Sequence, residues 1–383
     1  MNSKNTNNNN NVFVWSPMLS HVGTINATIG MANSIKKYNS GLNYKIFLLN
    51  VFGEFNFLHK NENFRVLNIF SMFKFPKTGF ISKFAIYLFT IISFPYLIYL
   101  VKKHKPKIII TCLVGYLPCF LKIFFKDIKV INSIQGLPKL NYLRKILWKI
   151  TYKNSDCLIC MTDSTKSFLI KSLNLNEKKV IKINNPIISR EIKLLSTQDV
   201  DDEDVFIFKK KVFCSIGRLT RQKNYIELIK TFENFNKKNF QKYNLIILGE
   251  GEQEHMLKDF IKQNKIKNCF LLGFKKNPYR YLSKSSLYIS SSLWEEPGHT
   301  LIEAGYLNVP IVSSNCPNGP KELINDNFNG FKYELKNVKE FEDKIFQAIN
   351  LQNKDLLKIK LNMKKLCSDF TQFKFSQKLK KFI

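Results

Sequence analysis

Short runs rich in β-branched and aromatic residues alternate along this chain with longer amphipathic stretches. That rhythm restricts the fold to parallel sheets covered by helices. In the first half the strand-like runs are VFVW (12–15), YKIFLL (44–49), KIIITC (107–112), IKVIN (128–132), DCLICM (156–161) and VIKI (180–183), with helical patterns at 25–37, 140–151 and 163–173. A second series follows: VFCSI (212–216), NLIIL (244–248), CFLL (269–272), LYIS (287–290) and PIVS (310–313). Between them lies the polar, acidic SREIKLLSTQDVDDEDVF, expected to be a linker or edge segment. Two doubly wound α/β domains facing across a cleft are therefore expected, a usual place for ligands.

With 383 residues the chain can fill two cores. The reading places one domain at 1–190, with residues 1–10 disordered, a second at 191–369, and a final helix at 370–383 returning to the first domain. The net charge of +31 predicts attraction to anions: nucleic acid, anionic lipid or phosphorylated metabolites. Residues 1–190 hold 27 basic and 6 acidic side chains, so the first half is the better candidate for an anionic surface. Eight cysteines at scattered spacings, without a secretory signal at the Asn-rich start, fit reduced thiols and a cytoplasmic location. Cys157 and Cys160 form a CxxC, but inside an apolar strand-like run and without a second pair, which points to packing rather than metal.

Residues 84–101, FAIYLFTIISFPYLIYLV, carry no charge and approach the length of a membrane span. A helix joining two strands of one sheet cannot carry the chain across a bilayer, and Pro95 interrupts the run. The segment is expected to be buried or to rest on a membrane with its basic and aromatic flanks.

The second series holds the sharpest signals. SIGRLTRQKNYIELI sets Gly217 at a strand end, then Arg218 and Lys223 on a loop, then a helix from about Asn224. Backbone N–H groups, the helix dipole and two cations add up to an anion site, although Arg and Lys on a surface loop would suit plain solvation too. LGEGEQEHML ends another strand with Gly249 and Gly251, which admit a close approach by backbone or ligand. Gly273 and Phe274 follow a third strand. In SSSLWEEPGHTLIEAG (290–305) a strand delivers Glu295 to a loop, Pro297-Gly298 turns the chain, and a helix starting near His299 carries Glu303 one turn in. One carboxylate can reach a ligand over the sheet edge, the first helical amides can hold its phosphates, and the second carboxylate can accept from a ribose.

This combination resembles the retaining GT-B glycosyltransferases of the large family numbered four. Glu295 and Glu303 match its motif of two glutamates separated by seven residues, and Gly217, Arg218, Leu219 and Lys223 match its GRL-xxx-K pattern. The resemblance implies that Arg218 and Lys223 hold the donor diphosphate and that Glu295 contacts the transferred sugar. It likewise assigns Glu303 to the ribose and the amides from Gly298 through His299 and Thr300 to Leu301 to sugar and phosphates. Gly217, Gly249, Gly273 and Phe274 complete the donor site; Glu295, Arg218 and Lys223 are the catalytic candidates. The first half matches less tightly. SPMLSHVGTINATIGMANSI resembles the acceptor domain's glycine loop but keeps only Gly23, and Gln135 stands where many members have a histidine, so it serves position or the loop itself. NNPI (184–187) matches the motif that commonly ends the first domain.

No catalytic metal and no cofactor are expected. QDVDDED has DxD spacing, but in a linker it reads as a solvated charge run, and Arg218 and Lys223 can balance a diphosphate. His299 is expected to point to solvent. The implied activity is transfer of a hexose-type sugar from a nucleotide diphosphate sugar to a glycan or lipid-linked acceptor, in polysaccharide, lipopolysaccharide or other glycan synthesis, with peripheral membrane contact and no nucleic-acid partner. Two rivals stand beside it. A sugar-nucleotide epimerase of the same architecture would alter its nucleotide sugar with no acceptor present. A basic nucleic-acid-binding protein is suggested by charge alone.

Overall fold

The computed structural model describes residues 10–18, 23–38, 43–58, 61–70, 88–112, 114–138 and 140–383. The expected disorder of 1–10 falls, apart from Asn10, outside them, as do residues 84–87 of the apolar segment. Contacts divide the chain into one compact unit of 1–187 with 372–383, and a second of 188–371.

The first unit is a seven-stranded parallel sheet. Its strands are β1 (Asn11–Trp15), β2 (Lys45–Asn50), β3 (Phe64–Asn68), β4 (Ile108–Thr111), β5 (Lys129–Ile134), β6 (Cys157–Cys160) and β7 (Val180–Lys182), in the order β3-β2-β1-β4-β5-β6-β7. The strand order reverses at β1, where Val12 stands opposite both Ile46 and Ile108. Strands covered on both faces must be apolar on both, and β1 is buried at every residue. Helices α1 (Gly23–Tyr38), α2 (Phe94–His104), α3 (Tyr116–Phe124), α4 (Tyr142–Tyr152) and α5 (Asp163–Leu173) supply that cover. Side chains of α2 to α5 fill one core with Phe13, Phe47 and Val130, while α1 fills the other with Val12, Ile46 and Ile110.

The apolar segment is thus a sheet-covering element. Residues 88–92 are helical, Ser93 interrupts them, and α2 buries Leu97, Leu100 and Val101. Among the described residues no helix is long and apolar enough to cross a membrane. Cys157 and Cys160 project into the two opposite cores of the sheet, so they cannot share a ligand. Burial pushes the Cys157 thiol up to about 12.

The second unit repeats the plan with α6 (Arg190–Ser196), β8 (Lys211–Ile216), α7 (Tyr225–Lys238), β9 (Tyr243–Leu248), α8 (Glu254–Gln263), β10 (Cys269–Leu271), α9 (Tyr279–Ser283), β11 (Leu287–Ser290), α10 (His299–Tyr306), β12 (Ile311–Ser314), α11 (Gly319–Leu323), β13 (Phe331–Tyr333), α12 (Val338–Asn350) and α13 (Asn353–Cys367). The sheet order is β10-β9-β8-β11-β12-β13, all parallel, and it reverses between β8 and β11. The final helix, α14 (Gln372–Leu379), belongs to the first unit and packs on α1 through Phe375 and Leu379.

One expectation is corrected here. The acidic stretch before β8 folds into α6 and a 3-10 helix over Asp202–Lys209, and although Asp199, Asp202 and Glu203 are exposed, it is not solvated throughout. Asp204 is buried, and the Lys275 ammonium lies 2.9 Å from Asp201 and 2.8 Å from Asp204. The Tyr281 hydroxyl donates to both carboxylates at 2.6 Å, and Arg280 pairs with Asp201. The partners lie some seventy residues downstream, so the local sequence could not reveal them.

Candidate functional site

In an open parallel sheet the two strands flanking a reversal send their following loops to opposite sides, opening a crevice at their carboxyl ends. In the second unit those strands are β8 and β11. The loop after β8 carries Gly217, Arg218 and Lys223; the loop after β11 carries Ser291 to Glu295. The two are laced together. Ser291 donates through its hydroxyl to the Lys223 carbonyl at 2.7 Å, the Leu293 amide to the Gln222 carbonyl at 2.8 Å, and the Gln222 side chain to the Trp294 carbonyl at 2.7 Å.

Across this seam Lys223 donates from Nζ to Glu295 Oε1 in a short ion pair, and the same oxygen accepts from the Ser292 hydroxyl at 2.7 Å. Both charged side chains are largely enclosed, 17% exposed for Lys223 and 10% for Glu295. Gly217 makes room for the cation: a Cβ there would lie 2.7 Å from the Lys223 side chain. Arg218 lies on the same loop and is exposed.

Gly249 and Gly251 serve backbone packing. The loop after β9 runs against the loop after β8, with the Gly217 amide donating to the Leu248 carbonyl at 3.0 Å and the Leu219 amide to the Glu250 carbonyl at 2.9 Å. A Cβ on Gly249 would meet the Gly217 carbonyl at 2.0 Å, and one on Gly251 the Leu219 carbonyl at 2.4 Å. Gly249 in turn donates to the Gly273 carbonyl at 2.8 Å. Gly273 has φ +66° and open space where a Cβ would stand, and Phe274 beside it is exposed. Lys275, the next residue, is pinned by Asp201 and Asp204, which fixes the exit of this loop.

The Glu295 loop is held from the other side by a turn whose tightness the sequence did not disclose. Gly319 donates to the Glu295 carbonyl at 3.0 Å, and a Cβ on it would fall 1.8 Å from the Pro297 carbonyl. The Glu296–Pro297 peptide is cis, and Gly298 (φ +94°) opens α10. The first amides of such a helix have no intrahelical acceptor. Leu301 itself is buried, with its amide on the Gly298 carbonyl at 3.1 Å. Thr300 shares a 2.6 Å hydrogen bond with the Tyr288 hydroxyl, so its side chain is already engaged.

His299 departs from expectation. Its ring is partly buried rather than directed to solvent, and burial depresses its pKa to about 4, against the pull of Glu295 and with the help of Lys223. It is neutral near pH 7. Glu303 lies one turn on, where burial raises its carboxyl to about 7, opposed by the Tyr279 hydroxyl that donates to Oε1 at 3.0 Å. Tyr279 was not singled out from sequence.

In the first unit Gly23 begins α1. Gln135 forms a reciprocal amide pair with buried Asn185: Asn185 donates to Oε1 at 2.8 Å, while Gln135 donates to Asn185 at 3.3 Å and to Ser133 at 2.6 Å. Asn185 belongs to the NNPI stretch fifty positions away. Among the described residues one acidic group has ligand-like spacing, Asp201, Glu203 and Asp204. The Lys275 ammonium lies within 3.6 Å of all three, supplying a positive charge at that place.

Residues 198–365, which span both cation-bearing and carboxylate-bearing loops, match the family model for glycosyl transferases group 1. This segment is similar to group 1 glycosyltransferase domains. An uncharacterized glycosyltransferase of Methanocaldococcus jannaschii is 33% identical over 242 residues, 59% of this chain and 59% of that protein. The Campylobacter jejuni N-acetylgalactosamine-N,N'-diacetylbacillosaminyl-diphospho-undecaprenol 4-alpha-N-acetylgalactosaminyltransferase is 25% identical over 63% of this chain and 65% of its own length. The matched segments therefore span about three fifths of these relatives. Among solved structures, Anabaena HepE in complex with UDP superposes with a TM-score of 0.75 over 97% of this chain and 98% of that one, at 15% identity. A glycosyltransferase from Rickettsia africae superposes with a TM-score of 0.77 over 97% of each chain, at 16% identity. At such identities the likeness is one of fold, and that fold is GT-B.

Proposed function

We propose that this segment works as a group 1 glycosyltransferase domain within a retaining enzyme that moves a hexose-type sugar from a nucleoside diphosphate sugar to a hydroxyl of a glycan or lipid-linked acceptor. The observation that carries the reading is the pairing of Lys223 with Glu295 at the strand-order reversal of the second unit. A cation and a carboxylate held together there can divide a donor between them. Lys223, with Arg218 and the first amides of α10, faces the diphosphate; Glu295 faces the sugar.

As the bond from the anomeric carbon to the phosphate oxygen breaks, negative charge grows on the diphosphate and positive charge on the sugar ring. Stabilisation fixed in place before the reaction, at both ends, lowers that barrier. No strong base is required of the site, and His299, neutral near pH 7, acts here as a hydrogen-bonding and shape element. Glu303, supported by Tyr279, is assigned to the ribose hydroxyls. Arg218 and Lys223 supply the charge that a divalent cation would otherwise supply, so no catalytic metal is invoked. Of the relatives named above, the Campylobacter jejuni protein is by its name a transferase acting on a diphospho-undecaprenol-linked sugar, which favours transfer over the epimerase reading, and HepE was solved with UDP, which favours a nucleotide ligand over nucleic acid.

Melting curves with nucleoside monophosphates, nucleoside diphosphates and nucleotide sugars test the donor assignment. A ligand at 100 times its dissociation constant stabilises the native state by about 2.7 kcal/mol. Diphosphates and one class of nucleotide sugar are expected to raise the melting temperature, and Arg218→Ala is expected to abolish the rise. Failure of every diphosphate-containing ligand to shift the transition contradicts the proposal.

A further inference from the structure

The helical layer formed by α2, α3 and α4 carries two properties that a water-facing layer does not need together. All three helices cover the same face of the first sheet, contributing Leu97, Leu121 and Tyr152 to one core. Their outer sides should then be polar. Instead, eleven of the fifteen exposed large apolar side chains among the first unit's described residues lie on α2 to α4 or on the helical residues 88–92.

The pattern is clearest on α4. Tyr142, Ile146 and Ile150 recur at four-residue spacing, with Leu143 beside them, so they form one stripe along the helix. Tyr142 is 78% and Leu143 77% exposed. Lys145, Lys149 and Lys153 form a parallel row at the same spacing, all exposed. On α3, which packs beside α4, Ile123 and Phe124 are exposed. On α2 the exposed rings of Tyr96 and Tyr99 stack at 5.6 Å, and the Lys103 ammonium stands over Tyr99 at 5.6 Å. Charge supplies the second observation. Residues 88–153 contain twelve Lys or Arg and a single acid, Asp127.

We propose that this outer face of α2, α3 and α4 rests on an anionic lipid bilayer. An apolar stripe alone would fit any greasy partner. A stripe flanked by lysine rows and stacked tyrosines, almost without acids, complements an interface that offers acyl chains below and negative headgroups above. Apolar side chains enter the headgroup region, the tyrosine hydroxyls stay at the water boundary, and the lysines meet lipid phosphates. The inference rests on the proposed lipid-linked acceptor only for its purpose; the surface itself stands without it.

The full chain is sedimented with vesicles of phosphatidylcholine alone and of phosphatidylcholine with phosphatidylglycerol, at low and high salt. Binding is expected to the anionic vesicles at low salt and to fall steeply at high salt. Lys145→Ala with Lys149→Ala should weaken it about thirtyfold, and Leu143→Ser with Ile150→Ser should weaken it while leaving the melting temperature unchanged, since both side chains are already exposed. Equal binding to both vesicle types, or full binding by both double variants, overturns the proposal. So does a wild-type dimer, seen by equilibrium sedimentation, that the Leu143→Ser with Ile150→Ser change converts to monomer without affecting vesicle binding, because the face then joins two copies. Nucleoside diphosphate melting shifts retained in all variants keep this outcome separate from any failure of the glycosyltransferase reading.

Discussion

Lys223→Ala should destabilise the protein before any ligand is added, and the site's geometry sets the size of the effect. Truncation leaves Glu295, 8% exposed, with the Ser292 hydroxyl as its remaining side-chain donor. Removing one partner of a buried ion pair costs about 3–5 kcal/mol, because the survivor is an uncompensated charge in a poor solvent. The residual exposure of both side chains, 17% and 10%, places this pair at the lower edge, at ~3 kcal/mol. An amide has no charge to compensate, so Lys223→Ala combined with Glu295→Gln should recover most of that loss, a coupling that a double-mutant cycle isolates. Urea unfolding of the four proteins measures it. A loss below ~0.5 kcal/mol for Lys223→Ala, or strictly additive effects in the double variant, refutes the idea that these two charges depend on each other.

Glu303→Gln should make the protein more stable near pH 8 and leave it unchanged near pH 4. The partly buried carboxyl's pKa of about 7 lies above its ordinary value of 4.5, so the native state holds this proton more tightly and the stability it contributes is lost as pH rises from there through about 7. Urea midpoints at the two pH values check it. Binding of a nucleotide sugar should strengthen up to about tenfold between about pH 6 and pH 8 as this carboxylate forms, and Glu303→Gln should flatten that dependence in calorimetry. Gly319→Ala and Gly249→Ala should each cost more than the ~1 kcal/mol of an ordinary glycine replacement, since the added Cβ would meet a backbone carbonyl; thermal unfolding decides. A chelator should leave the transfer rate unchanged, and complete loss restored by manganese or magnesium would assign a metal role to the Asp201, Glu203 and Asp204 group.

The second unit was legible because its strands are short and largely apolar, with Gly217, Gly249 and Gly273 closely following β8, β9 and β10, so the placing of Gly217, Glu295 and Gly298 after strand ends followed from the alternation. Elements with weaker burial escaped. The edge strand β3 is mostly half-exposed, β13 is three residues long, and α3 was not recognised as a helix between β4 and β5. What the sequence could not show was long-range pairing. Lys275 and Tyr281 turn an apparently solvated acidic run into a buried network, Asn185 occupies both ends of the Gln135 amide, and Tyr279 meets Glu303 from another helix. His299 was misjudged for a related reason: position at a helix start does not reveal that the residue is partly buried or that the charges of Glu295 and Lys223 act on its ring.

The central claim is tested most directly by incubating the protein with a mixture of nucleotide sugars and candidate acceptors, then reading the first-formed glycoside by proton NMR. The account predicts a new glycoside with the donor's anomeric configuration, dependent on acceptor and lost in Glu295→Gln. A glycoside of inverted configuration, or an altered nucleotide sugar formed with no acceptor present, contradicts it.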